Sequence, residues 1–210
     1  MGKTEVITLK VGQLCANCYI LIDKETSRAV IIDPGDDAFY IQRIIADKNA
    51  LPIKIIATHG HFDHILAGLE LQLAYKIPFC INKADIFLLN NMQSSAKYFL
   101  GYSTDPPPQA EKDLFDGEMI KIGSTTITVI HTPGHTPGSV CFYIKNEKSL
   151  FTGDLLFADG SVGRTDFSYS NTAELKKSLH KIFRLDDSVM VLPGHGDSTL
   201  LKSLLNPANL

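Results

Sequence analysis

The sequence lacks an apolar run of the roughly 18 residues that a membrane-spanning helix needs, and Met1 to Lys10 contain no signal-peptide core. It also lacks a surplus of positive charge, because the formal net charge is -3. A chain without a basic surplus gives no electrostatic reason to expect nucleic acid or an anionic membrane as a partner. We therefore expect a cytoplasmic protein with neither nucleic acid nor a membrane as its partner.

Cysteine is scarce, with four residues in the chain. Cys15 and Cys18 form a C-x-x-C, a spacing found in redox pairs and in zinc knuckles, but no second such pair follows to complete a knuckle. Cys18, Cys80 and Cys141 lie in apolar runs. We expect these three to be buried thiols, with a redox or metal role for the C-x-x-C as the less favoured alternative.

No linker, charge run or low-complexity segment divides the 210 residues, of which 44% are hydrophobic and 20% charged. These values are ordinary for a globular protein, and the length suits one domain. We therefore predict that residues 1–210 form a single domain.

Strand patterns alternate with helical spacing along the chain. Apolar runs and period-two alternation predict strands at residues 6–9, 18–23, 29–33, 52–57, 79–81, 125–130, 140–144, 149–151 and 189–192. Helical periodicity predicts helices at residues 36–48, 65–76, 84–92, 172–183 and about 198–205. Two strand-rich halves, each closed by helices, indicate two sheets packed face to face with helices outside.

Residues 93–117 show the least regular pattern. They contain Pro106-Pro107-Pro108, which cannot continue a helix. We predict a surface excursion, which is either a lip over the active site or a plain connection. Together with residues 157–170, this segment is expected to wall the substrate pocket.

Five of the seven histidines lie in turns that follow short apolar strands. The four turns contain His59-Gly60-His61-Phe62-Asp63-His64, Gly134-His135-Thr136-Pro137-Gly138, Gly153-Asp154 and Gly194-His195. Imidazole nitrogen and carboxylate oxygen are good ligands for zinc, iron or manganese. Because strand ends are rigid, such turns are able to direct several ligands into one pocket.

The first of these turns is the most informative. His59 and His61 point to the same side of an extended segment and are able to bind one ion, whereas Asp63 and His64 lie beyond it and turn toward a second. Three histidines and a carboxylate in one loop are costly unless a cation offsets their desolvation and repulsion. We expect a structural or supporting role for His131 and an ordinary surface role for His180.

These four motifs, in this order, resemble those of the metallo-β-lactamase-fold superfamily, and Ile31-Ile32-Asp33-Pro34-Gly35 resembles an early strand and turn of that family. The resemblance implies an α/β fold, a four-layer αββα sandwich of two mixed sheets with the metals at one edge. It implies two divalent ions, zinc being expected and iron or manganese the alternatives. The implied ligands are His59, His61 and His135 for the first ion and Asp63, His64 and His195 for the second, with Asp154 bridging them.

The third motif selects a branch of the family. β-Lactamases of this fold typically carry Cys or Ser where this chain has Asp154, so the chain resembles the compact glyoxalase II-like hydrolases more closely. The segment Gly163 to Phe167 also resembles those hydrolases. The resemblance implies a small-molecule substrate, a thioester or related ester, that is cleaved by a hydroxide shared by the two ions. It implies Asp63 and Asp154 as the catalytic residues. The C-terminal glutathione-binding helical region of full-size glyoxalase II is expected to be absent.

Three other functions remain open. A persulfide dioxygenase, which the same motifs also resemble, holds one iron through two histidines and a carboxylate, here His59, His135 and Asp154. A lactonase or phosphodiesterase of the same fold is the second alternative, and a non-catalytic binding module is the third.

Four further residues have expected supporting roles. Asp33, Thr58 and Ser139 either orient the histidines or make local turn bonds. Arg164 either pairs with Asp159 or Asp166 to brace its loop, which we favour, or meets a substrate carboxylate.

Overall fold

The computed structural model describes residues 3–204, and strands within that range form two six-stranded sheets. The first sheet runs in chain order through β1 (Thr4–Val11), β2 (Ala16–Asp23), β3 (Arg28–Ile32), β4 (Leu51–Ile56), β5 (Phe79–Ile81) and β6 (Ala110–Asp113). The second sheet contains β7 (Met119–Ile122), β8 (Thr125–His131), β9 (Val140–Ile144), β10 (Ser149–Gly153), β11 (Met190–Pro193) and β12 (Thr199–Leu200). Both sheets combine parallel and antiparallel pairs.

Helices cover the outer faces of the two sheets. They are α1 (Ala38–Asp47), α2 (Gly68–Tyr75), α3 (Ile86–Asn90), α4 (Met92–Leu100) and α5 (Thr172–Ile182). Helix α5 begins after Asn171, whose side-chain oxygen accepts hydrogen bonds from two backbone N–H groups of the first turn. Helix α4 ends at Gly101, which has a φ of 82° that favours glycine. Within residues 3–204, no helix is long and apolar enough to cross a membrane.

The alternation of side chains along β2 shows how the first sheet joins two apolar layers. Ile20 and Ile22 pack in the layer that contains Ile41 of α1 and Leu71 of α2. Their neighbour Leu21 faces the other way, into the layer between the two sheets. Successive strand side chains point to opposite faces, so a strand that is apolar at every position is buried on both sides.

A third apolar layer lies between the second sheet and α5. Leu175, Leu179 and Ile182 of that helix pack against Leu150 and Val191 of the sheet. Each fully buried side chain of this size contributes about 1.5–3 kcal/mol of burial free energy. The order of layers is helix, sheet, sheet, helix, which confirms the predicted αββα sandwich of two mixed sheets.

The prediction was wrong in parts of the least regular segment. Residues 93–100 belong to α4, and β6 pairs with β5 although all four of its residues are exposed and show no apolar alternation. Strand β7 was missed as well. In place of the predicted last helix, β12 leads into a 3₁₀ turn, Leu201–Leu204, while Leu205 lies outside the described residues.

Candidate metal centre

The structure brings together all seven residues that the sequence motifs single out. Each lies in a loop that follows a strand: His59, His61, Asp63 and His64 follow β4, His135 follows β8, Asp154 follows β10 and His195 follows β11. Strands β3, β4 and β5 run parallel to one another, as do β10 and β11, so their carboxyl ends share an edge. That edge is where the loops converge.

Three histidines, His59, His61 and His135, form what we call the histidine group. His61 Nδ1 lies 3.1 Å from His59 Nε2 and 3.0 Å from His135 Nε2. Ligand nitrogens of a tetrahedral zinc ion with bonds of 2.0–2.1 Å are about 3.3 Å apart. The spacing of the three nitrogens therefore fits a single metal ion between them.

Asp63, His64 and His195 form a second cluster, the mixed group. Asp63 Oδ2 lies 3.7 Å from His64 Nε2 and 3.3 Å from His195 Nε2. Asp63 and His64 are held by a short 3₁₀ turn, Phe62–His64, and the ring of His64 lies beside that of His59, with centroids 4.3 Å apart. A carboxylate and two imidazoles make a ligand set suited to a divalent ion.

Asp154 stands between the two groups. Its Oδ2 lies 3.6 Å from His135 Nε2, and its Oδ1 lies 3.5 Å from His64 Nε2 and 3.8 Å from His195 Nε2. Asp154 Oδ1 and His64 Nε2 are buried, and neither has a hydrogen-bond partner among the described residues. Buried polar atoms are rarely left unpaired because desolvation is costly, and a cation would supply the missing partner.

The nitrogen of each histidine that faces away from the cluster has a hydrogen-bond partner. These partners are Thr58 Oγ1 for His59, Tyr169 Oη for His61, Asp33 Oδ2 for His64, the Arg164 carbonyl for His135 and the Leu14 carbonyl for His195. A carbonyl or carboxylate oxygen only accepts, so the imidazole must donate to it. Thr58 donates its own proton to Asp33 and so accepts from His59. In the neutral forms of His59, His64, His135 and His195 the inward nitrogen is thereby left as a lone pair, the form that binds metal.

The pKa values of these groups reflect their surroundings. Burial, reinforced by the neighbouring histidines, lowers the pKa of His59 and brings that of His61 to about 3, which keeps both imidazoles neutral. Burial opposes a charge on His64, but Asp154 and Asp63 outweigh it and raise its pKa to about 10. The mixed group thus lies in a negative potential that favours a bound cation.

Two glycines leave room for this arrangement. A Cβ on Gly194 would lie 2.3 Å from Asp154 Oδ1 and 2.7 Å from the ring of His64. A Cβ on Gly35 would lie 1.9 Å from the backbone oxygen of Asp63. Any larger residue at either position would displace a predicted ligand.

The predicted supporting residues divide into two classes. Asp33 accepts hydrogen bonds from the backbone N–H and the hydroxyl of Thr58, each at 2.6 Å, and from His64. Of the two predicted roles, Asp33 and Thr58 therefore have the first, which is to orient histidines. Ser139 bonds instead to Thr136, three residues away in its own turn. Local turn bonding is therefore its role.

Sequence reasoning missed two residues that touch the site. Asp85 is buried and accepts hydrogen bonds from Gly60 N, Gly138 N and Thr136 Oγ1, so it ties the loop of His59 and His61 to the loop of His135. Tyr169 lies 2.8 Å from His61 Nε2 although 108 positions separate the two residues. Neither residue stands in a metal-like motif, so no signal in the sequence marks it.

The other singled-out histidines and cysteines lie outside the cluster. His131 bonds to the carbonyl of Pro137 in its own turn, as expected of a structural residue, and His180 bonds to a carbonyl of its own helix. Cys18, Cys80 and Cys141 are buried free thiols, which confirms that prediction, while Cys15 is exposed.

A cavity of about 670 Å³ opens onto the candidate centre. Its wall includes His61, Asp63, His135 and Asp154. Ser94, Ser95, Tyr98 and Phe99 line it from one side, and Arg164, Phe167, Ser168 and Tyr169 from the other. The two segments predicted to wall the pocket therefore do so, joined by residues of α3.

The family model of the metallo-beta-lactamase superfamily matches residues 12–195, a range that holds all seven residues. The chain belongs to that superfamily. The hydroxyacylglutathione hydrolase GloC of Haemophilus influenzae is 34% identical over 189 residues, which cover 88% of this chain and 87% of the relative.

Solved structures of the superfamily agree with this fold. The BLEG-1 B3 metallo-beta-lactamase superposes with a TM-score of 0.89 at 32% identity and covers 98% of this chain and 99% of its own. A protein crystallised in a di-iron-bound form superposes with a TM-score of 0.86, also at 32% identity, over 96% and 99%. With the His/Asp groups described above, the superfamily assignment makes this chain a metal-dependent hydrolase of the metallo-beta-lactamase fold.

Proposed function

We propose that this chain hydrolyses an acyl thioester or a related ester at two divalent metal ions, with zinc as the expected metal and iron or manganese as alternatives. The observation that carries the proposal is the placement of Asp154, whose two carboxylate oxygens face different ligand groups. The similarity to a hydroxyacylglutathione hydrolase supports the choice of a thioester.

The proposed ligands follow from the inward-facing atoms. His59 Nε2, His61 Nδ1 and His135 Nε2 would hold one ion, and Asp63 Oδ2, His64 Nε2 and His195 Nε2 the other. Asp154 would bridge the two through Oδ1 and Oδ2. The ligand atoms of each group lie within 4.8 Å of one another.

Two such ions, when bound, lower the pKa of a shared water to about 7 and polarise the carbonyl under attack. The chain itself holds the reactants. Asp63 lines the cavity, and we propose that its second oxygen accepts a hydrogen bond from the attacking water and orients it. A thiolate is a good leaving group, so no protein acid is required on that side.

Metal content of the full chain, purified without added metal, and hydrolysis of S-lactoylglutathione would test this proposal together. We expect close to two metal ions per chain and measurable cleavage that a chelator abolishes and added zinc restores. One iron per chain without hydrolysis, but with oxygen consumption on glutathione persulfide, would contradict the proposal and favour the dioxygenase.

A further inference from the structure

Aromatic rings form both walls of the cavity that opens onto the candidate centre. On one side the ring of Phe99 stacks on Phe62, with centroids 5.6 Å apart and an interplanar angle of 16°. On the other, Phe167 stacks on Tyr169 with centroids 5.1 Å apart, and Phe87 meets Tyr169 edge to face at 5.3 Å. These rings leave a cleft with apolar faces directly in front of the ligand groups.

Most polar residues that line the cavity away from the predicted ligands are uncharged. Asn91, Ser94, Ser95 and Ser168 are neutral. Beyond the predicted ligands, Arg164 carries the one ionic charge among the described residues that line the cavity. The wall away from the metal ligands thus depends on Arg164 for any recognition of an anionic group.

Arg164 is already paired. Its Nε and Nη2 donate to the two carboxylate oxygens of Asp166, each at 2.6 Å, in the bidentate geometry that an incoming carboxylate would also need. Its guanidinium also lies over the ring of Phe167, 4.4 Å from the centroid. Asp166 therefore occupies the Nε side of the guanidinium and offsets its charge, and an incoming carboxylate would find only the Nη1 side left to donate.

We propose that the substrate places an uncharged apolar group, aliphatic or aromatic, in this cavity. The preferred thioester then joins an apolar acyl group to a neutral thiol rather than to a charged peptide thiol. The inference rests on the proposed thioester hydrolysis. Glutathione carries two carboxylates and an ammonium, whereas the one cation among the described residues of this wall, Arg164, already has a carboxylate partner. Apolar groups, in contrast, gain free energy in proportion to the area they bury against the rings.

Two thioesters that differ in charge test the proposal on the metal-loaded full chain. We expect kcat/KM for S-hexanoyl-N-acetylcysteamine to exceed that for S-lactoylglutathione by at least about tenfold. An equal or greater kcat/KM for S-lactoylglutathione overturns the inference but leaves the proposed function standing. Cleavage of neither thioester by protein that holds two metals overturns both.

Binding of unreactive thioethers gives a readout that does not depend on turnover. S-hexyl-N-acetylcysteamine and S-hexylglutathione share the apolar group and differ in the thiol portion, which is small and neutral in the first and a charged tripeptide in the second. We expect calorimetry to show that the neutral compound binds at least about threefold more tightly. Tighter binding of the charged compound contradicts the proposal.

Phe99→Ala tests the aromatic wall, with Phe115→Ala as its matched control. Phe99 is 55% exposed and lines the cavity, whereas Phe115 is 59% exposed and lies elsewhere on the surface. We expect Phe99→Ala to raise KM for the hexanoyl thioester by at least about fivefold and Phe115→Ala to leave it unchanged. Equal effects of the two substitutions would overturn the inference.

Asp166→Asn tests the neutralisation of Arg164 without touching a predicted ligand. The substitution frees the guanidinium, so we expect kcat/KM for S-lactoylglutathione to rise by about threefold or more while the value for the neutral thioester stays within about twofold. A merely structural loss would lower both values together. An unchanged ratio of the two would show that Arg164 does not limit charged substrates and would overturn this argument.

Discussion

The histidine group and the mixed group differ in charge and in access to solvent. His59 and His135 are buried, at 1% and 3% exposed, and the histidine group offers neutral ligands throughout. The mixed group contains the carboxylate of Asp63, and the His195 side chain is 28% exposed. His64 is as buried as His59, so the main difference is one of charge: the histidine group holds three imidazoles, whereas the mixed group balances a carboxylate against two imidazoles.

This difference bears on how each group would hold a metal. Two of the three imidazoles in the histidine group are buried, and all three are held by outward hydrogen bonds, so this group should lose its ion slowly. The mixed group pairs a charged ligand with a partly exposed one, where water is able to replace a lost nitrogen. Asp154 is the element that the two groups share.

The largest effect is expected from Asp154→Ala, which removes the shared carboxylate. We expect the metal content to fall by more than one ion per chain and thioester hydrolysis to fall by about 10³-fold or more. Asp47→Ala, on the exposed face of α1, is the control for a lost surface carboxylate. Full activity with two bound ions in Asp154→Ala would contradict a shared ligand.

Removing one histidine from each group should separate the groups. We expect His135→Ala to lower activity by about 10³-fold and His195→Ala by about 10²-fold, because water reaches the more exposed position of His195 more easily. Each variant should retain close to one ion per chain in elemental analysis. Equal losses of activity would show that exposure does not distinguish the groups.

Asp33→Asn should weaken chiefly the mixed group, because Asp33 bonds directly to His64 and reaches His59 only through Thr58. Asp33 orients His64, and its φ of 50° suits asparagine, so the backbone conformation is retained. Loss of such an orienting partner typically costs 10–100-fold in metal affinity. Competition with a chromophoric chelator should show the loss for one of the two ions, with Asp47→Asn as control. Equal losses for both ions would contradict this expectation and show that the link through Thr58 to His59 matters as much as the direct bond to His64.

Tyr169→Phe should weaken the histidine group by a smaller amount. The hydroxyl that bonds to His61 Nε2 is lost while the ring remains on Phe167. We expect about a tenfold loss of affinity for one ion. Tyr102→Phe is the matched control, since Tyr102 is 42% exposed and does not line the cavity. An affinity equal to that of the control would leave Tyr169 without a role in orienting His61.

The sequence predicts the candidate site better than the walls around it. His59 to His64 and the other motif residues are recognisable because metal ligands need specific side chains beside strand ends. Asp85 and Tyr169 act through contacts across many positions, which no local pattern encodes. Strand β6 could not be predicted for the same reason. Its four residues are exposed and show no strand pattern, and the strand is defined by its pairing with β5. That residues 1–210 form a single domain stays a prediction.

The most direct test of the account is the electron paramagnetic resonance spectrum of the full chain loaded with Mn²⁺. Two ions that share Asp154 should be spin-coupled, so the account predicts close to two Mn²⁺ per chain and a broad multiline spectrum. A simple six-line spectrum from one isolated ion per chain would contradict the shared site.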